Sequence, residues 1–224
     1  MTRDPSSYST YLVTQESASS GRSTLEIVEA TIAGGIDVVQ LREKATPARD
    51  RYELGLECRE LTAEAGIDLI VNDRIDIAQA IDADGVHVGQ SDLPVAVARD
   101  LLGPDAIVGC SVATVEEAAR AETDGADYLG IGTIYGTTSK DVDDYKDEVG
   151  PERVAEITDA VSIPAVGIGG ITPENAGPVV EAGATGVSVI SAITAADDPQ
   201  AATEALVSSV ETAQNATEPD GVAR

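Results

Sequence analysis

Short apolar runs separated by longer amphipathic stretches set the rhythm of this chain. One phrase recurs: a helix end, a glycine, then a short apolar strand. It reads AGGIDVVQL at 33–41, EAGIDLIVN at 64–72, DADGVHVG at 82–89, TDGADYLGI at 123–131 and EAGATGVSV at 181–189. Gly35, Gly66, Gly85, Gly125 and Gly183 each sit where a helix should stop, because glycine enters the left-handed region without a Cβ clash. TVEEA (114–118) and TPENA (172–176) each open with a threonine able to cap a helix. Further β-branched runs complete eight strands, near 9–14, 36–41, 68–72, 85–88, 106–110, 127–132, 163–168 and 186–190. Helices are expected over 22–33, 47–65, 73–81, 94–102, 114–123, 150–160, 173–182 and 199–213. Nearly all-apolar strands alternating with helices predict a parallel sheet covered on both faces. Eight such units without a second domain predict an α/β fold, a single (β/α)8 TIM barrel. The domain is expected to span 1–224, with its core at about 9–213 and the ends, 1–7 and 214–224, disordered.

Polar residues gather where strands end. Strand 2 ends in Gln40, Arg42 and Lys44, strand 3 in Asn72 and Asp73. Strand 4 carries His87, followed by Gln90 and Asp92, and strand 5 ends in Ser111. Strand 6 runs into GTIYGTTSK (132–140), strand 7 into Gly167, Gly169 and Gly170, and strand 8 into Ser188 and Ser191. Barrel active sites lie on that rim.

Composition sharpens this. The chain has 40 acids against 14 bases, a net charge of −26 and one histidine. Such a field repels nucleic acid and anionic membranes, and a strongly hydrated acidic surface suits concentrated salt. Lysine occurs three times, and Lys44 and Lys140 both stand at strand ends. Arg42 and Lys44, two apart on an extended segment, should point the same way and grip an anion. Asp73 and Asp92 are candidate ligands for a hard cation, with helix capping as the competing role for each. GIGGI (167–171) and GVSVISAI (186–193) suit a second anion, with Ser191 opening a short helix. Cys58 and Cys110 form no disulfide framework or zinc motif and are expected to be buried thiols. No apolar run is long enough for a membrane span and the start lacks a signal-peptide core, so the expected location is cytoplasmic.

In order, QLREK (40–44), VNDR (71–74), HVGQSD (87–92), GCS (109–111), GTIYGTTSK, GIGGI and GVSVISAI resemble the motifs of the thiamine-phosphate synthase family. The likeness spans roughly residues 9–213. It implies an alkyl transferase of thiamine biosynthesis that joins a pyrimidine diphosphate to a thiazole phosphate with Mg²⁺. Gln40, Arg42, Lys44, Asn72, His87, Ser111 and Lys140 would hold the pyrimidine diphosphate, with Arg42, Lys44, Ser111 and Lys140 catalytic. Asp73 and Asp92 would bind the metal. Thr137, Ser139, Gly170, Ile190 and Ser191 would hold the thiazole phosphate. Gly136 replaces the family's proline and Ser139 its second threonine, and the segment 135–149 is expected to close over the diphosphate. Other readings are a thiazole tautomerase of the same fold and a non-catalytic phosphate-binding barrel. The partners implied are small molecules, with a homo-oligomer left open.

Overall fold

In the computed structural model, residues 4–136 and 148–217 are described. Eight parallel strands close into a barrel in sequence order, β8 pairing back onto β1. The strands are β1 Thr10–Val13, β2 Val38–Leu41, β3 Asp68–Asn72, β4 Gly85–Val88, β5 Ile107–Val112, β6 Tyr128–Gly132, β7 Ala165–Ile168 and β8 Gly186–Val189. The helices are α1 Thr24–Ala33, α2 Ala48–Ala65, α3 Ile75–Ala80, α4 Val95–Leu102, α5 Val115–Thr123, α6 Gly150–Thr158, α7 Gly177–Glu181, α8 Ser191–Thr194 and α9 Pro199–Thr217.

Local chemistry fixes several boundaries. Ser23 Oγ accepts the Glu26 N–H and the Glu26 carboxylate accepts the Ser23 N–H, so α1 starts in a capping box. Thr114 and Glu117 start α5 the same way. Gly35, Gly66, Gly125 and Gly183 have φ of 89°, 69°, 93° and 102°, as expected of helix stops.

Gly85 does not. It lies in β4, where a Cβ would stand 2.0 Å from the Ile107 carbonyl oxygen. Close strand approach explains that glycine, and the left-handed residue after α3 is Asp82, at φ 53°. Helix α7 also starts later than 173. The Asn175 side chain accepts the Thr172 N–H at 2.8 Å and donates to Gly170 O at 3.0 Å, holding 172–175 in turns. At the other end, α9 continues through Thr217, because Gln214 Nε2 donates to Thr185 O and Ser9 Oγ. Pro5–Ser7 form a 3₁₀ turn. Residues 214–217 and 5–7 are therefore ordered structure where disorder was expected.

The apolar residues divide into two layers. One, including Leu12, Leu41, Leu69, Val71, Leu129 and Ile131, packs the sheet against the helices. The other fills the barrel interior and includes Tyr11, Val38, Ile70, Ile107, Tyr128 and Val166. Among the described residues, no helix is long and apolar enough to cross a membrane.

Both cysteines are buried, and desolvation pushes the Cys58 thiol up to about 12 and the Cys110 thiol up to about 11. At pH 8 the thiolate fraction of even the lower group is only about one in a thousand. A thiol reagent should therefore modify neither cysteine within minutes in the native protein, and two per chain after denaturation. Rapid reaction of one native thiol would contradict this.

Candidate active site

The interior phase of the strands carries the site. On strand after strand, an apolar or small residue deep in the barrel is followed two positions later by a polar one: Val38 by Gln40, Ile70 by Asn72, Gly85 by His87, Gly186 by Ser188. On β5 the step is Ile107, Gly109, Ser111. Period-two alternation aims all of these inward, towards the ends of the strands. The result is a recess lined by Gln40, Arg42, Asn72, His87, Ser111 and Ser188, floored by Tyr11 and Tyr128.

Its polar groups are joined. Gln40 Nε2 donates to Tyr11 Oη at 2.8 Å, and Tyr11 Oη lies 2.8 Å from Tyr128 Oη. His87 Nδ1 lies 3.0 Å from Tyr128 Oη, and its Nε2 2.8 Å from Ser111 Oγ. Burial raises the pKa of both phenols, so they stay neutral. Gly109 and Gly130 provide the space for these rings. A Cβ on Gly109 would meet Tyr128 Cζ at 2.2 Å, and one on Gly130 would meet His87 Cε1 at 3.0 Å.

The loop after β2 turns at Lys44 instead of staying extended, and Arg42 to Thr46 all border one pocket. Arg42 borders both the recess and the adjoining pocket that Lys44 lines, and its Nη1 donates to Gln15 Oε1 at 3.2 Å. Lys44 Nζ reaches Asp73 at 3.3 Å. The buried Glu43 carboxylate accepts from Glu16 N and Thr24 Oγ1, pinning the loop after β1. Arg51 on α2 donates to the Lys44 and Thr46 carbonyls from beneath.

Neither aspartate caps a helix. The residues preceding α3 and α4 are Arg74 and Pro94, without side-chain caps. Asp73 sits in the left-handed region at φ 61° and pairs with Lys44. Asp92 accepts the Gly89 N–H at 2.7 Å. Burial raises the Asp92 pKa, and so does the Asp73 carboxyl within hydrogen-bonding reach; the Gly89 N–H and Lys44 act the other way. Two facing carboxylates with one ammonium beside them form an acidic pair suited to a hard cation. Among the described residues no cluster of three or more His, Cys, Asp or Glu side chains occurs.

Across the rim, Gly169 and Gly170 have φ of 107° and 64°. A Cβ on Gly169 would meet Thr133 Cγ2 at 2.5 Å, and one on Gly170 would meet the Gly136 carbonyl oxygen at 2.5 Å. This loop packs directly on the one after β6. Ile190 precedes α8, and Ser191 opens that helix. Thr137, Ser139 and Lys140, with most of the segment 135–149, lie outside the described residues.

Sequence reading left Tyr11 and Tyr128 out of the site because both sit inside apolar strands. Their signal was phase: Tyr128 lies two residues before Gly130, and Tyr11 two before Val13, on the interior face.

Fold and rim together define a (β/α)8-barrel enzyme with its polar groups at the carboxyl ends of the strands. A family model described as "Thiamine monophosphate synthase" matches residues 10–193. The chain is 60% identical over 211 residues to the thiamine-phosphate synthase of Natronomonas pharaonis, covering 94% of this chain and 97% of that one. It is 62% identical over 207 residues to that of Haloquadratum walsbyi, covering 92% and 93%. Among solved structures, the thiamine phosphate pyrophosphorylase from Pyrococcus furiosus superposes with a TM-score of 0.84 at 38% identity, covering 93% of this chain and 98% of that one. The chain belongs to the thiamine monophosphate synthase family. Its activity is that of a thiamine-phosphate synthase, a transferase.

Proposed function

We propose that the chain joins 4-amino-2-methyl-5-hydroxymethylpyrimidine diphosphate to 4-methyl-5-(2-phosphoethyl)thiazole at this rim, releasing pyrophosphate. The observation that carries the assignment of roles is the recess of Gln40, Asn72, His87 and Ser111 beside the Lys44, Asp73 and Asp92 cluster. The carbon–oxygen bond between the pyrimidine methylene and the diphosphate breaks, and the electron pair leaves with pyrophosphate. The thiazole nitrogen then forms the new carbon–nitrogen bond. That nitrogen carries no proton, so the step needs no general base.

The chain's residues supply charge and position. Arg42, Lys44 and Lys140 hold the leaving diphosphate electrostatically, and Ser111 donates a hydrogen bond to it. Gln40, Asn72 and His87 orient the pyrimidine. Thr137, Ser139, Gly170, Ile190 and Ser191 hold the thiazole phosphate, the open backbone at Gly170 and the start of α8 offering N–H groups. Holding both substrates at one rim supplies the proximity advantage. Asp73 and Asp92 would hold Mg²⁺, which when bound supplies Lewis-acid neutralisation of the diphosphate oxygens.

The −26 charge, and the high identity to proteins from Natronomonas and Haloquadratum, support work in concentrated salt. The test is to mix both substrates in concentrated salt with Mg²⁺. Thiamine phosphate and pyrophosphate should appear one for one, and EDTA should stop both. No product from folded protein at any salt concentration would overturn the proposal.

A further inference from the structure

The five side chains from Gln40 to Ser111 form one continuous hydrogen-bonded line through the barrel interior. Each phenol in it has a single proton, so the direction set at one end runs to the other. With the Gln40 amide donating to Tyr11, the Tyr11 O–H donates to Tyr128. The Tyr128 O–H then donates to His87 Nδ1, which must be unprotonated. The proton of a neutral imidazole therefore sits on Nε2 and is given to Ser111 Oγ. Ser111, having accepted, presents its own O–H as a donor at the recess.

The line is held rigidly. Tyr11 and Tyr128 are each 1% exposed, and Tyr8 packs edge-on against both, with ring centroids 6.0 and 5.6 Å away. The missing Cβ of Gly109 gives the Tyr128 and His87 rings their seat.

We propose that Tyr11 and Tyr128 are positioning residues that carry the orientation of the Gln40 amide to His87, fixing it as the Nε2-protonated tautomer and Ser111 as a hydrogen-bond donor. This rests on the reading that Gln40 and Ser111 hold the pyrimidine diphosphate, and it extends that reading to two residues buried beneath them. The two ends then offer a matched pair: a Gln40 carbonyl oxygen to accept from an amino group, and a Ser111 hydroxyl to donate to an acceptor. An inverted line would offer the opposite pair and mismatch the same substrate.

His87 is the only histidine in the chain, so its imidazole nitrogens are directly assignable by NMR of the ¹⁵N-histidine-labelled, substrate-free protein. The wild type should show one tautomer, with Nε2 protonated and Nδ1 bare. Tyr128→Phe should give mixed tautomers and lower kcat by at least about tenfold, with a smaller change in KM. Gln40→Glu places an acceptor-only group at the head of the line, so the line should reverse and the proton move to Nδ1. A packing role alone would move the melting temperature but not the tautomer. The proposal is overturned if wild-type His87 carries its proton on Nδ1 or on both nitrogens. It is also overturned if folded Tyr128→Phe keeps the wild-type tautomer and kcat. Should Tyr128→Phe fail to fold, the wild-type and Gln40→Glu spectra decide, a Gln40→Glu spectrum unchanged from wild type counting against it. These spectra need no turnover, so failure of the synthase assignment itself would show separately, as absence of product from wild type.

Discussion

Asp73→Gly should be at least as stable as the wild type and nearly inactive, with kcat/KM down by about 10²–10³-fold. The two halves of this prediction have separate causes. Asp73 has a φ of 61°, a conformation that glycine enters freely and aspartate only at some cost. Its ion pair with Lys44 is half exposed on the lysine side, so losing it costs at most about 1 kcal/mol. Glycine should therefore relieve backbone strain and offset that loss. Activity should fall because one of the two facing carboxylates is gone, and Asp92 alone holds a hard cation poorly. The remaining activity should also become indifferent to EDTA. Thermal unfolding and steady-state rates on the same preparation check both halves. A variant that melts much earlier would place Asp73 in the scaffold, and one with near-normal EDTA-sensitive turnover would remove it from the metal site. A strained acid at a strand end fits a residue kept for function at the expense of stability.

Gly109→Ala should be a severely damaging single-methyl change in the barrel interior. The new Cβ would lie 2.2 Å from Tyr128 Cζ and 2.5 Å from His87 Nδ1. Tyr128 is buried and wedged against Tyr8 and Tyr11, so it has nowhere to go. Overpacking of this kind costs about 2–3 kcal/mol, which for a chain of this length lowers Tm by roughly 4–12 °C. The folded fraction should also lose at least about tenfold in kcat, because the methyl separates His87 from Tyr128. Calorimetry in concentrated salt, with rates measured well below the transition, separates the two effects. Wild-type Tm together with wild-type kcat would mean that the interior is packed differently.

Much of this was legible in the sequence because barrel architecture repeats. Helix stops at Gly35, Gly66, Gly125 and Gly183 follow from φ alone, and the polar residues at strand ends fall where period-two alternation sends them. Gly85 misled because a glycine beside an apolar run reads the same whether it ends a helix or lets two strands approach. The turn at 172–175 was hidden because Asn175 acts through side-chain hydrogen bonds that no periodicity registers. Tyr11 and Tyr128 were hidden for a different reason: inside an apolar strand a tyrosine reads as core, and these two are core. Only the barrel's closure shows that β1 and β6 bring their hydroxyls to the same point as His87. The ion pair of Asp73 with Lys44 is likewise a product of adjacent strand ends: the sequence grouped Asp73 with Asp92 on neighbouring strands, but not Lys44 with them.

In the proposed reaction the acidic pair and the cations beside it act together on one metal-bound diphosphate. Calorimetric titration of the pyrimidine diphosphate alone, into wild type and Asp73→Gly, with Mg²⁺ and with EDTA, tests it most directly. Wild type should bind at least about tenfold more tightly with Mg²⁺, and Asp73→Gly should bind equally weakly in both. Equal affinity of the wild type with Mg²⁺ and with EDTA would contradict the account.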